Sequence, residues 1–262
     1  MSIVFLDQLT VHYESLGRGR PVVFLHTWIG SWRYWVQSMQ LVSGSHTAYA
    51  VDFFGFGDTA RDPQAYSVER QASLVEGFVD QMGIDRIALV SHGLGAQVGF
   101  CFAARHPARV ARVLAVAAAL DPLSLDGRLQ TAGVRDLQTL VAGNGSGLAE
   151  LLPDPTAIDP RAVAAPSDYG LINAGVGALR DAGVPVLFVF GLNDPLLHAP
   201  SPEHVLAIGP NVEQVVFPQS GHFPMIDAAD PFHRLLVDFL ALEPGASPRG
   251  LQPKEEWHRR LR

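Results

Sequence analysis

Short apolar runs alternate along this chain with segments of helical period, and that alternation restricts its fold more than any other feature. Pro21-Val22-Val23-Phe24-Leu25, Thr47–Val51, Arg86–Val90, Val110–Ala118, Pro185–Phe190 and Glu213–Phe217 read as strands. Such runs suit strands covered on both faces, which requires helices on either side of a mostly parallel sheet. The intervening segments supply them. Val68, Leu74, Val75, Phe78, Val79 and Met82 share one helical face, with Ser67 as N-cap and Gly83 as the stop. Near the end Asp230 caps a helix with Pro231 in its first turn, and Phe232, Leu235, Leu236, Phe239 and Leu240 form its stripe. The first fifteen residues resemble an antiparallel pair placed before these units. The fold class is therefore α/β.

At 262 residues, 48% of them hydrophobic, the chain can build one large core. A formal net charge of −7 argues against a nucleic-acid partner. The single cysteine, Cys101, excludes an internal disulfide and sits among Val98, Phe100, Phe102 and Ala103, the setting of a packed thiol. The opening segment meets an acid at Asp7 without a basic stretch before it, and the apolar runs at 111–120 and 184–190 are too short to span a bilayer. These features lead to an expectation of a cytoplasmic protein with no membrane partner. Oligomeric state has no sequence signature here.

Residues 121–183 break the strand–helix rhythm. They hold Gly143-Asn144-Gly145-Ser146-Gly147, several prolines and weak helical patterns. An insertion of that size between two strands usually serves function, so the expected organisation is a core of 1–120 and 184–243, a small mobile lid over 121–183, and a tail over 244–262.

The segment Leu89-Val90-Ser91-His92-Gly93-Leu94-Gly95-Ala96 has the frame of a strand–turn–helix elbow, G-x-S-x-G. One register makes Ser91 the nucleophile but puts bulky Leu89 two positions before it, where a sharp turn needs little bulk. The other makes Gly93 the nucleophile position, flanked by small Ser91 and Gly95; it ends the strand near Val90 and starts the helix at about Gly95. We prefer the second, which leaves a nucleophile position without a side chain.

Taken with four further loops, this segment resembles the α/β-hydrolase fold, and the resemblance extends over nearly the whole chain. His26-Thr27-Trp28-Ile29-Gly30 is similar to the family's H-G-x-P loop, with Thr27 in place of the usual glycine. Asp52-Phe53-Phe54-Gly55-Phe56-Gly57-Asp58-Thr59 is similar to its D-x-x-G-x-G-x-S loop. Gly191-Leu192-Asn193-Asp194 resembles its acid loop and Ser220-Gly221-His222-Phe223-Pro224 its histidine loop. The order of nucleophile position, acid and histidine also agrees. The resemblance implies a mostly parallel central sheet flanked by helices, with a small lid insertion. It implies His222 as base and Asp194 as its orienting acid, with Asp121 as the alternative acid. Oxyanion donors are expected from the backbone of Leu94 and of Trp28 or Thr27. His26, His92, Trp32 and Phe223 are candidate substrate-binding residues, and Trp28, Trp32, Tyr34 and Trp35 either pack over the sheet or wall an apolar, aromatic-accepting pocket. No cofactor and no metal are implied: no phosphate-binding glycine loop stands in a dinucleotide context, and no metal-ligand cluster is evident.

Three functions compete. The first is an enzyme acting without a serine nucleophile, with His222 and Asp194 as general base and a backbone oxyanion hole. It would carry out lyase, cyclase or oxygenase-like chemistry, or direct water attack on an apolar ester or lactone. The second is a non-catalytic protein binding a small molecule or partner under the lid. The third is a conventional esterase or lactonase whose nucleophile has become glycine; an aspartate-bearing dehalogenase or epoxide-hydrolase ancestry is erased equally well. Retention of both His222 and Asp194 favours the first. On sequence alone, Gly93→Ser is expected to create or restore esterase activity.

Overall fold

The computed structural model describes residues 2–142, 147–165 and 168–251. Its element order is β1 (Ser2–Leu6), β2 (Leu9–Gly17), β3 (Arg20–Leu25), α1 (Val36–Val42), β4 (His46–Val51), α2 (Val68–Gln81), β5 (Ile87–His92), α3 (Leu94–Arg105) and β6 (Val110–Val116). The short helices α4 (Arg128–Thr131), α5 (Val134–Ala142), α6 (Leu148–Leu151) and α7 (Pro160–Val163) follow. The chain closes with α8 (Tyr169–Asp181), β7 (Val186–Gly191), α9 (Pro202–Ile208), β8 (Val212–Phe217), α10 (Pro224–Asp227) and α11 (Ala229–Leu240).

The eight strands form one sheet in the order β1-β2-β4-β3-β5-β6-β7-β8. β1 pairs antiparallel with β2, and β2 antiparallel with β4. Every other pairing is parallel. The central strands β5 and β7 are buried at every position, as strands covered on both faces must be. This is an α/β hydrolase fold: the alternation of apolar runs and helical segments predicts its α/β class, and the hydrolase arrangement is the one that the loop resemblance implies. Cys101 is fully buried on α3, where desolvation pushes its thiol up.

Four boundaries differ from the sequence reading. β5 does not stop at Val90 but runs to His92, held by pairing of Ser91 with Ala115 and of His92 with Val116. The turn into α3 is thereby compressed into Gly93 alone. β6 ends at Val116 rather than Ala118, because Ala117 adopts φ 45°. The last helix starts at Ala229, without a side-chain cap, so Asp230 and Pro231 both lie in its first turn. The region 121–183 includes a core helix: α8 buries Ile172, Val176 and Leu179 and packs against α3, as the crossover into β7 requires. Asp168 caps it by accepting from the Leu171 N–H, a start signal available in the sequence.

The remainder of the insertion is tied to the core by polar contacts. Asp126 N–H donates to Leu196 C=O and His198 N–H to Ser124 C=O. The Gln138 side chain donates to Ile29 C=O, and Tyr66 Oη to Asp159 Oδ2 at 2.8 Å. Gly143-Asn144-Gly145-Ser146 and the tail from 252 onward, including Lys254-Glu255-Glu256-Trp257, lie outside the described residues. Among the described residues no helix is long and apolar enough to cross a membrane.

Candidate active site

The site lies at the carboxyl ends of β3, β5, β7 and β8, where parallel α/β sheets present their loops. The β7 and β8 loops are pressed together. A Cβ on Gly191 would collide with the backbone carbonyl of Gly221, so only glycine allows this approach. That packing brings Asp194 Oδ2 to 2.7 Å from His222 Nδ1. The other carboxylate oxygen of Asp194 accepts from Leu196 N–H at 2.8 Å and Leu197 N–H at 3.1 Å. The acid is thus fixed from both sides. His222 Nδ1 donates to it, which leaves the Nε2 lone pair facing Thr27 Oγ1 at 3.1 Å. In this tautomer His222 can accept a proton at Nε2.

Asp121, the alternative acid, is used elsewhere. It accepts from the amides of Leu123 and Ser124 and caps the short turn Pro122–Ser124. Ser91, the alternative nucleophile, is excluded by geometry. It is paired within β5, its hydroxyl lies against Gly99 on α3, and it has no hydrogen-bond partner among the described residues.

Gly93 has φ 53° and ψ −110°, a region that L side chains adopt at a cost. A Cβ built there would collide with Thr27 Oγ1 and approach Trp28 Cζ3 to 2.7 Å. The place of a side chain at position 93 is therefore taken by the Thr27 hydroxyl. The sequence reading missed this role, although the unusual threonine after His26 and the unusual glycine at 93 were both visible. Only the fold shows them to be neighbours.

Thr27 was also a candidate oxyanion donor through its backbone. Its N–H instead donates to Tyr34 Oη at 3.0 Å, so that amide is occupied. Trp28 is the second residue of the turn closed by Gly30 N–H and Thr27 C=O, whose hydrogen bond does not use the Trp28 amide. Leu94, first residue of α3, likewise has no partner for its N–H within the helix.

The candidate substrate-binding residues separate into two groups. His92 and Phe223 line the His222 imidazole: the His92 and His222 rings stand 4.5 Å apart, and Phe223 packs edge-on to His92 at 4.8 Å and 5.3 Å from His222. Tyr34 Oη completes this layer at 3.1 Å from His92 Nδ1. His26 and Trp32 are scaffold instead. His26 Nδ1 donates to Thr27 C=O at 2.8 Å and its Nε2 accepts from Phe53 N–H at 3.0 Å, leaving nothing free for a ligand. Trp32 packs on His12 and donates its backbone N–H to Asp52 Oδ1. It belongs to a second polar cluster, in which ligand atoms of His12, Asp52 and Asp58 come within 4.8 Å of one another. The sequence alone showed no such grouping. There His12 Nδ1 and Asp52 Oδ2 bond each other at 2.9 Å, so the buried members satisfy each other.

Thr27 and His222 are sealed from solvent: His222 is 1% exposed and Thr27 0%. Trp28 lies between Gly93 and a neighbouring cavity. One edge of its indole faces Gly93, and the side chain also lines a cavity of about 120 Å³ shared with Leu125, Leu129, Gln130, Val163, Ala165 and Tyr169.

Burial pushes His92 well below the usual histidine range and lowers His26 as well. Both stay neutral in the folded protein at pH values where the unfolded chain, with a histidine value near 6.5, takes up protons. Their contribution to stability is therefore present above that value and declines as pH falls below it. The urea midpoint should be lower at pH 5 than at pH 7, and His92→Asn should narrow the difference. An unchanged difference in that variant would show that His92 is not one of the groups responsible.

The comparisons agree with this architecture. The first curated relative, epoxide hydrolase 2 of Siraitia grosvenorii, is 34% identical over 105 residues, covering 39% of this chain. The chain spans only about a third of that relative's length (33%). A 2-hydroxy-6-oxononadienedioate/2-hydroxy-6-oxononatrienedioate hydrolase of Pseudomonas putida is 24% identical over 88% of this chain and 92% of its own length. The solved enol-lactonase of Burkholderia xenovorans superposes with a TM-score of 0.75 at 18% identity, covering 92% of this chain and all (100%) of that one. A family model described as the alpha/beta hydrolase family matches residues 22–235. With the sheet order, the glycine turn into α3 and the paired acid and histidine loops, that match establishes that this chain belongs to the alpha/beta hydrolase family.

Proposed function

We propose that the protein hydrolyses a small, apolar ester or lactone with His222 as its general base and Asp194 as the acid that orients it. The carrying observation is the buried relay from Asp194 Oδ2 through the His222 ring to a hydroxyl at Nε2. A binding protein has no need for a base held in one tautomer and aimed at a hydroxyl. The amides of Leu94 and Trp28 supply the oxyanion hole, and the positive end of the twelve-residue helix α3 adds to the stabilisation of negative charge there. The cavity outside Trp28, walled mostly by aliphatic and aromatic side chains, supplies an apolar entry site.

A second reading is favoured by a different observation. Thr27 and Trp28 fill the space over Gly93, as they would in a protein that only binds ligands under its insertion. Hydrolysis of p-nitrophenyl acetate, p-nitrophenyl butyrate and small lactones decides between the two. We expect turnover above the buffer rate, lost in a folded His222→Ala variant. Ligand binding without turnover, unaffected by His222→Ala, would replace the hydrolase reading with the binding one.

A further inference from the structure

We propose that Thr27 is the nucleophile of this site, its hydroxyl delivered from the β3 loop into the space that Gly93 leaves open. The proposal rests on the reading of His222 as the base. Three observations carry it. The first is position: the hydroxyl occupies the place where a side chain at 93 would start. The second is polarity: His222 Nε2 is an acceptor because Nδ1 is committed to Asp194, so at 3.1 Å the Thr27 O–H is the donor. That is the arrangement in which a base activates a hydroxyl.

The third observation is rigidity. The Thr27 backbone is held at three points: its N–H by Tyr34 Oη, and its C=O by His26 Nδ1 and Gly30 N–H. That backbone fixes the direction of the Cα–Cβ bond, and the hydrogen bond to His222 Nε2 selects the rotamer that holds Oγ1. A space-filling role would be met as well by valine, which has the same shape and no hydroxyl to desolvate. The same two amides can serve as oxyanion donors under the exchange. The amide following the nucleophile is now that of Trp28, and the one from the neighbouring loop is that of Leu94.

The steps balance without a co-reactant other than water. Thr27 Oγ1 bonds to the acyl carbon while its proton passes to His222 Nε2, and the carbonyl electron pair moves onto oxygen against the Leu94 and Trp28 amides. Collapse breaks the bond to the alkoxy group, which leaves with the proton from His222, and an ester of Thr27 remains. Water then gives a proton to His222 and bonds to the acyl carbon; the bond to Oγ1 breaks, and the proton returns to Thr27. The net change is ester plus water to acid plus alcohol. A secondary, buried hydroxyl favours small acyl groups.

The test uses the full chain with p-nitrophenyl acetate, and a fluorophosphonate read by intact and peptide mass spectrometry. In Thr27→Val, which preserves shape, kcat/KM is expected to fall by about 10³-fold or more with the thermal midpoint little changed. Thr27→Ser should stay within roughly tenfold of the parent, and the phosphonyl adduct should map to the peptide holding Thr27. Turnover that survives Thr27→Val but is lost in His222→Ala overturns the nucleophile and leaves the base intact. Turnover that survives His222→Ala overturns the base itself. An adduct on another residue, or a parent protein that neither hydrolyses the ester nor takes the adduct, also overturns the role of Thr27.

Discussion

In a Gly93→Ser variant the new side chain is expected to cost stability and to yield no gain in ester hydrolysis, because the space it needs is already filled. Its Cβ meets Thr27 Oγ1 and comes within 2.7 Å of Trp28 Cζ3, at a backbone φ of 53°. Overpacking of this kind costs ~1–3 kcal/mol, and a non-glycine residue at this backbone conformation adds about 1–3 kcal/mol. The result reverses what sequence alone suggests for this substitution. Thr27→Gly should relieve most of the obstruction, since glycine there clears Oγ1 and Cβ, two of the three nearest atoms, and leaves the Trp28 edge to shift. The double variant Gly93→Ser/Thr27→Gly should therefore regain stability relative to Gly93→Ser. It should also hydrolyse p-nitrophenyl acetate at least ~10²-fold faster than Thr27→Gly, a strong departure from additivity. Thermal midpoints and kcat/KM of the four proteins measure both effects. Additive behaviour would mean that positions 27 and 93 do not share one volume.

Asp194→Asn is expected to lower kcat by ~10⁴-fold, the scale seen when a triad acid is made neutral and the base takes the wrong tautomer, while the fold survives. Asp194 uses one oxygen for the Leu196 and Leu197 amides and the other for His222. Asparagine has one oxygen, and the two N–H donors will hold it. Its NH₂ group then points at His222 Nδ1 and forces that nitrogen to become the acceptor. The imidazole proton moves to Nε2, where it faces Thr27 instead of receiving from it. The base is lost through tautomer choice rather than through distance. Stopped-assay rates and the histidine ¹⁵N shifts of the variant check both halves; retained activity with an Nε2–H imidazole would remove proton transfer at Nε2 from the mechanism.

Much of this was legible in the chain. The buried runs at Pro21–Leu25 and Pro185–Phe190 gave central strands because only a sheet covered on both faces tolerates continuous apolar stretches. Asp194 and His222 could be paired in advance through the resemblance of their loops, Gly191-Leu192-Asn193-Asp194 and Ser220-Gly221-His222-Phe223-Pro224, to the family's acid and histidine loops. What could not be read were contacts set by packing. The helix Tyr169–Asp181 was submerged in a region of weak pattern, since it is clamped to α3 and needs little amphipathicity of its own. His26 looked like a ligand contact, and its two ring nitrogens turned out to hold the loop that aims Thr27. Thr27 and Gly93 each departed from the expected pattern in a way that seemed a loss. Placed side by side, they describe one hydroxyl carried on a different loop.

The placement of Trp28 has a consequence for rates. On the proposed mechanism, with Trp28 between the entry cavity and Gly93, encounter with Thr27 and His222 would succeed only while the indole is displaced, and apparent affinity would be the intrinsic affinity scaled down by that open fraction. Two ligands of equal fit would then show the same ceiling on their observed association rate at high concentration, set by the motion of the indole and not by either ligand. Residence on the closed side would be long for the same reason. On the proposed mechanism such a compartment would also keep water from the Thr27 ester until the indole next moves, which would couple deacylation to the motion that admits substrate.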